Sequence, residues 1–344
     1  MRPRSLTNAD LAELLARQAE TAEGLRQRAF RRAARSAFLW PEEAADLLAQ
    51  GRSLVELKGI GPFLSKEIEG WLDQPPEKTL PPPLRRDFLT LAGARRILAA
   101  NPDWSKKLRG DLQMHTTWSD GSGSIAEMAA AAEERGYEYV AITDHSKGLK
   151  IAGGIDEARL AQQAAEIKTW NQANKRRRLR VLSSIELNLS PRGEGDMDVA
   201  ALRQLDLVLG SFHSSLRRTE DQTERYLAAI RNPHVHIMGH PRGRIYNFRL
   251  GLKADWTKVF AEAAKRDKAL EIDSYPDRQD LNLTLLKIAR QEGVRISLGT
   301  DAHHPWQLAF IELGLAAALK ARLSADQIVN FFPLPGLLSW AHSF

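Results

Sequence analysis

The chain reads as an α/β protein: a parallel barrel of alternating strands and helices, preceded by a small all-helical unit. Three observations predict this. From Gly110 onward, short strand-like apolar runs alternate with helical ones: IAEMAAAAEERG precedes YVAIT, ARLAQQAAEIKTWNQANK precedes VLSSIEL, TKVFAEAAKRDK precedes ALEID, and LTLLKIARQEG precedes VRISLGT. Such alternation builds a parallel sheet, closed as a barrel or open and doubly wound. Six stretches next to such runs also carry imidazoles or carboxylates: DLQMHTTWSDG (111–121), AITDHS (141–146), SSIELN (183–188), GSFHSS (210–215), IMGHPRGR (237–244) and LGTDAHH (298–304). Side chains at successive strand ends converge on one face of a barrel, so the motifs favour closure. Finally, residues 1–73 show helical periodicity and no strand-like alternation.

Taken in order, Thr7 or Asn8 is placed to cap a first helix whose Leu11, Leu14, Leu15 and Ala19 recur at helical spacing. A second helix carries Arg26, Arg28, Arg31, Arg32 and Arg35. On its own that run reads as the wet face of an amphipathic helix. SLVELKGIGPFLSKEIEGWL (53–72) places two helical stretches around Lys58-Gly59-Ile60-Gly61. Its glycines permit a tight turn, and the free N–H groups opening the next helix suit a phosphate. The stretch resembles a helix-hairpin-helix motif, a sequence-independent binder of the DNA backbone; a plain helical hairpin is the other reading. Lys58, Gly59 and Gly61 are its candidate phosphate contacts. DQPPEKTLPPPL (73–84) reads as a proline-rich boundary. The expected division is therefore 1–73 helical, 74–109 linker and 110–344 barrel.

Composition narrows the chemistry. Of the formal charge of +6, +5 falls in residues 74–110, which hold Arg85, Arg86, Arg95, Arg96, Lys106, Lys107 and Arg109. A local basic excess fits either a polyanion such as DNA or plain solvation. There are no cysteines, so disulfides and thiolate ligands are excluded and any metal sits on nitrogen and oxygen. Such a donor set admits Zn, Mn or Fe. No apolar run resembles a signal peptide or spans a membrane, and the cytoplasm is the expected location.

The six motifs, in this order, resemble the PHP (polymerase and histidinol phosphatase) domain over residues 110–344. GHPRGR, YPDRQDL and GTDAHH bring the resemblance closest to bacterial family-X DNA polymerases, and the first 73 residues look like the N-terminal domain of those enzymes. The resemblance implies a distorted (βα)7 barrel with two or three divalent ions. It further implies metal positions at His115, Asp120, His145, Glu186, His213, His240, Asp301 and His303, with Glu186 as the bridging carboxylate. The family's first motif has a histidine where this chain has Gln113, so Gln113 is at most a weak member of one metal position. Glu186, Asp301 and Arg244 are expected to serve catalysis, and Arg242, Arg244 and Arg278 to clamp phosphate.

The implied activity is metal-dependent phosphoester hydrolysis on DNA, as a 3′–5′ exonuclease or another 3′-end processor in repair, with a polymerase or repair protein as possible partner. Residues 74–109 are too short for a polymerase palm and hold only Asp87 and Asp103, so nucleotidyl transfer is not expected. Two alternatives stand beside this: a DNA-binding scaffold with a degenerate metal site, or a small-molecule phosphatase of histidinol-phosphatase type. His234, His236 and His342 match no motif and read as structural or surface groups.

Overall fold

A computed structural model describes residues 6–77 and 79–344, so the first five residues of the expected helical unit lie outside it. Five helices open the described chain: α1 (Asn8–Thr21), α2 (Gly24–Ser36), α3 (Ala44–Ala49), α4 (Pro62–Asp73) and α5 (Leu91–Ala99). Thr7, not Asn8, caps α1: its hydroxyl accepts from the Asp10 N–H, and the Asp10 carboxylate accepts from the Thr7 N–H at 2.8 Å. Asn8 is buried and ties α1 to α3, donating to the Glu42 carbonyl and accepting from the Ala44 N–H. Leu11, Leu15, Phe30, Trp40, Leu47, Leu54 and Ile68 form the core of this region.

Eight short strands follow: β1 (Gly110–Asp111), β2 (Tyr139–Ile142), β3 (Arg180–Ser183), β4 (Glu186–Asn188), β5 (Leu209–Ser211), β6 (Ile237–Met238), β7 (Ala269–Asp273) and β8 (Arg295–Gly299). All pairings are parallel, in the orders β1-β2-β3 and β4-β5-β6-β7-β8. Two residues, Ser184 and Ile185, separate β3 from β4, and a His145–Glu186 bridge continues the contact across the break. The two segments are one interrupted strand, which leaves seven around the barrel. The ring closes between β8 and β1 by the Leu112 N–H to the Leu298 carbonyl and the His115 N–H to the Ala302 carbonyl (3.3 and 2.8 Å). The strands are buried on both faces, as in a helix-covered parallel sheet. Their shortness is the expected distortion.

The stretch 74–109 differs from the expected linker. It carries α5 and a one-turn helix α6 (Pro102–Ser105), and residues 84–89 are sewn to barrel loops. Arg85 is buried between Glu13 and Glu20 (2.8 and 2.6 Å) and donates to Asn247 Oδ1. Gln279 pairs with both the N–H and the carbonyl of Leu89, at 2.8 Å each. Phe38, Phe88 and Tyr246 meet edge to face across the seam. The basic excess is largely spent here: Arg95 pairs with Glu312, Arg96 with Glu43, Lys106 with Asp103 and Arg109 with Glu138. Proline content marks where helices cannot continue, and it says nothing of whether the extended stretches between them dock.

Candidate metal centre

Each strand end delivers its residue to one mouth of the barrel: His115 after β1, His145 after β2, Glu186 opening β4, His213 after β5, His240 after β6, and Asp301 and His303 after β8. Glu186 lies at the middle, fully buried. Its Oε1 is 2.6 Å from His240 Nε2 and 3.2 Å from His213 Nε2, while its Oε2 is 3.0 Å from His145 Nδ1 and 3.5 Å from His115 Nε2. Asp301 Oδ1 is 3.0 Å from His115 Nε2. Asp120 Oδ1 lies 3.4 Å from His303 Nε2 and 3.6 Å from His145 Nε2.

Three overlapping groups of donors result: His115, Asp120, His145 and His303; His145, Glu186 and His213; and His115, Glu186 and Asp301. All eight positions implied by the resemblance are thus brought together, His240 through its contact with Glu186. The set fits divalent ions on its own terms. His115 Nδ1 is buried without a hydrogen-bond partner, and His145 Nδ1 and Glu186 Oε2, although 3.0 Å apart, form no hydrogen bond with each other or with another group. Orphaned buried polar atoms are costly, and a shared cation is what satisfies donors of this kind.

The electrostatics divide the imidazoles into two kinds. Burial opposes ionisation of Glu186, yet the rings of His145, His213 and His240 outweigh it and hold the carboxyl well below its usual range. Burial opposes charge on Asp301 too, and Arg278 and His115 overcome it. Burial pushes the His115 and His213 imidazolium forms down, which leaves the neutral, ligating form. His145 and His303 go the other way: over the burial cost, the Glu186 carboxylate raises His145, and the hydrogen bond to Asp120 and the nearby Asp301 push His303 up to about 9, so each would release its proton on taking an ion.

Gln113 faces Glu271. With its amide nitrogen turned toward Glu271, it donates to both oxygens of that carboxylate, at 2.8 and 2.5 Å. Glu271 also accepts the His240 N–H at 2.7 Å. Gln113 therefore sits in a supporting layer beneath His240. The expected arginine clamp is also corrected. Arg244 is buried with Nε on the Arg278 carbonyl and Nη2 on the Asp87 carbonyl, and it stacks on Phe88. Arg242 reaches the Leu250 and Leu252 carbonyls. Arg244 braces backbone across the seam, while Arg242 braces its own barrel loop. Arg278 is the one of the three that reaches the cluster, 2.7 Å from Asp301 Oδ2.

Sequence reasoning missed the groups that aim the others. Asp144 is buried and accepts from the Thr116 N–H, the Thr116 and Ser119 hydroxyls and Gln163, fixing the loop that carries Asp120. Asn188 Oδ1 lies 3.2 Å from His213 Nδ1, and the Asp301 carbonyl lies 2.7 Å from His303 Nδ1. Such partners fix ring orientation. A carboxylate beside a motif histidine, as in TDHS, was the available signal for Asp144. Just before the Lys58–Gly61 turn the chain makes only one 3-10 turn, Leu54–Glu56, in place of the expected helical stretch. In the turn, Lys58 lies 5.6 Å from the Trp306 ring of the barrel, and Gly59 has φ of +86° with its α-carbon against the Ser36 side chain, where no Cβ fits. Gly61 caps α4, with Pro62 in its first turn.

Several known proteins resemble this chain. The PHP domain family model matches residues 111–298. The "DNA polymerase/3'-5' exonuclease PolX" of Bacillus subtilis is 39% identical over 225 residues, which is 65% of this chain and 39% of that protein. A "Probable phosphatase" of Thermoanaerobacter sp. (strain X514) is 29% identical over 65% of this chain and 91% of its own length, and one of Photobacterium profundum is 32% identical over 56% and 77%. The solved histidinol phosphate phosphatase from Lactococcus lactis, complexed with zinc, L-histidinol and phosphate, aligns with a TM-score of 0.42 at 17% identity, over 63% of this chain and 94% of that one. More than half of the chain is matched by the PHP model, and the chain belongs to that family.

Proposed function

We propose that the chain is a metal-dependent phosphoesterase acting on DNA ends, as a 3′–5′ exonuclease or related 3′-end processor. The observation that carries the reading is Glu186, buried and shared by four imidazoles at the mouth of the barrel. His115, Asp120, His145, Glu186, His213, His240, Asp301 and His303 would hold the ions. Bound divalent ions supply hydroxide at neutral pH and stabilise charge on phosphate oxygens. In the reaction, a water oxygen bonds to phosphorus, the P–O3′ bond breaks, and the proton ends on the departing O3′. Arg278, fixed by Asp301 at the rim, presents a cation to a phosphate oxygen. The DNA specificity draws on the PolX relative and on α2, whose five arginines are exposed and form no ion pair among the described residues.

The test uses a 3′-labelled oligonucleotide and a small phosphate monoester, with Mn and Zn added in turn. Release of labelled nucleotide from the DNA, lost in Glu186→Ala together with bound metal and retained in His234→Ala, is the expected result. Cleavage of the monoester alone would instead assign a small-molecule phosphatase. Binding of DNA without metal or hydrolysis would assign a scaffold.

A further inference from the structure

Between the helical region and the barrel lies a cavity of about 180 Å3 whose lining includes Arg35, Leu39, Tyr275, Trp306, Gln307 and Phe310. Two of these residues also touch the candidate metal centre. The Gln307 side-chain oxygen accepts the His303 N–H at 2.6 Å. Tyr275 lies against the Arg278 guanidinium, 5.7 Å from its ring centre, and Arg278 is the residue that reaches Asp301. Tyr275 and Trp306 each stand edge-on to Phe310, with ring centroids 5.3 Å apart in both cases. Trp306 is half exposed, and the Lys58 ammonium of the hairpin turn faces its ring. Arg35 closes the α2 series of arginines that form no ion pair among the described residues.

We propose that this cavity receives the unpaired base of the terminal nucleotide whose phosphate is handled at the metal centre. The substrate is then a single-stranded or frayed DNA end. The inference rests on the DNA reading above. Phe310, edge-on to both Tyr275 and Trp306, joins them into an aromatic wall of the cavity, and every base has a π face that aromatic rings accept without regard to sequence. At roughly 30 Å3 of liquid volume per water, the cavity has room for about six waters. That suits one flat ring system and not a base pair. A base inside a duplex cannot enter without leaving its stack, so the unpaired end is the form that fits. Arg35 in the lining and Lys58 against Trp306 offer cations to the attached backbone, with Asp277 the acidic residue of the lining. A small phosphate monoester without a base leaves the slot unused.

The test employs the full chain and two 5′-labelled single strands, identical except that the 3′-terminal nucleotide carries adenine or is abasic. Affinity by fluorescence anisotropy and kcat/KM are both read. The adenine-ended strand is expected to be favoured about 10-fold, the scale of one stacked base. Trp306→Ala should remove the preference and leave the abasic strand unchanged, while Trp306→Tyr keeps it. Leu39→Trp, which fills the cavity from the helical side, should also remove it and covers the case of a misfolded Trp306→Ala. Equal handling of the two ends by the native chain, or a preference intact in both Trp306→Ala and Leu39→Trp, overturns the base slot while DNA hydrolysis stands. If neither strand is bound or cut and a small monoester still is, the DNA reading itself fails, and the inference with it.

Discussion

Gln113 shows how one side chain changes the chemistry available to a site. A histidine there could donate a ring nitrogen to an ion and its other nitrogen to Glu271, whereas the glutamine spends its amide on Glu271 alone. The group of His115, Glu186 and Asp301 is left with three donors, against four in the group of His115, Asp120, His145 and His303, and four around His145, Glu186 and His213 once His240, 2.6 Å from Glu186, is counted. Two tightly held ions per chain are therefore expected after dialysis, and Gln113→His should raise the count measured by elemental analysis. Three stoichiometric ions in the native chain would show that the missing imidazole does not matter. His236, away from the site, controls a different property. Burial and the nearby Lys268 ammonium lower its pKa to about 4, and its Nδ1 accepts the Val208 N–H at 2.9 Å. The unfolded chain, with an ordinary value near 6.5, binds this proton first. Stability should therefore fall as the pH drops from about 6.5 toward 4, by on the order of 2–3 kcal/mol from this residue. His236→Asn, which keeps an acceptor, should flatten that part of the pH profile in denaturant unfolding. A profile identical to the native one would remove His236 from the account.

At the scale of elements, legibility follows the range of the forces involved. The strand–helix alternation was legible because periodicity is local, and the strand-end motifs were legible because parallel strands place their C-terminal ends on one face. The break between β3 and β4 and the two-residue β6 were not, since strand length depends on which backbone groups find partners. The directions of Arg242 and Arg244 were not either: a sequence gives a charge but not its aim, and backbone carbonyls captured both, Leu250 in the barrel and Asp87 in the seam. For α2 the same limit worked in the opposite direction. Its arginines read as an ordinary wet face, while the basic run at 85–109 looked like the DNA contact. In the structure most of the latter is neutralised by acidic partners, and α2 is left open beside the hairpin turn, with Arg26 over Phe63 of α4 (5.6 Å). Replacing Arg28, Arg31 and Arg32 together by serine should weaken binding to unrelated oligonucleotides alike. It should also reduce the slope of log affinity against log salt by about 0.7 per lost contact on single strands. An unchanged slope would return α2 to solvation.

Across the whole molecule, the seam decides whether the helical region and the barrel behave as separate bodies. Arg85 reaches Glu13 and Glu20 on α1 and Asn247 on the barrel, and its side chain is 5% exposed. Tyr246 of the barrel belongs to the helical core, and Trp104 donates to the Leu315 carbonyl of the barrel helix Ile311–Lys320. A tethered, independent unit would melt by itself. One sharing buried rings and a buried ion pair with its neighbour should unfold with it. A single calorimetric transition is therefore expected for the full chain, with calorimetric and van't Hoff enthalpies in agreement. Arg85→Ala strands Glu13 in a buried position without its cation, which costs about 3–5 kcal/mol in comparable cases. That variant should lower the midpoint and split the transition into two as the helical region uncouples. Two resolved transitions in the native chain, or an Arg85→Ala midpoint equal to the native one, would show that the seam is contact without coupling, and residues 110–344 would then be expected to keep their stability when produced alone.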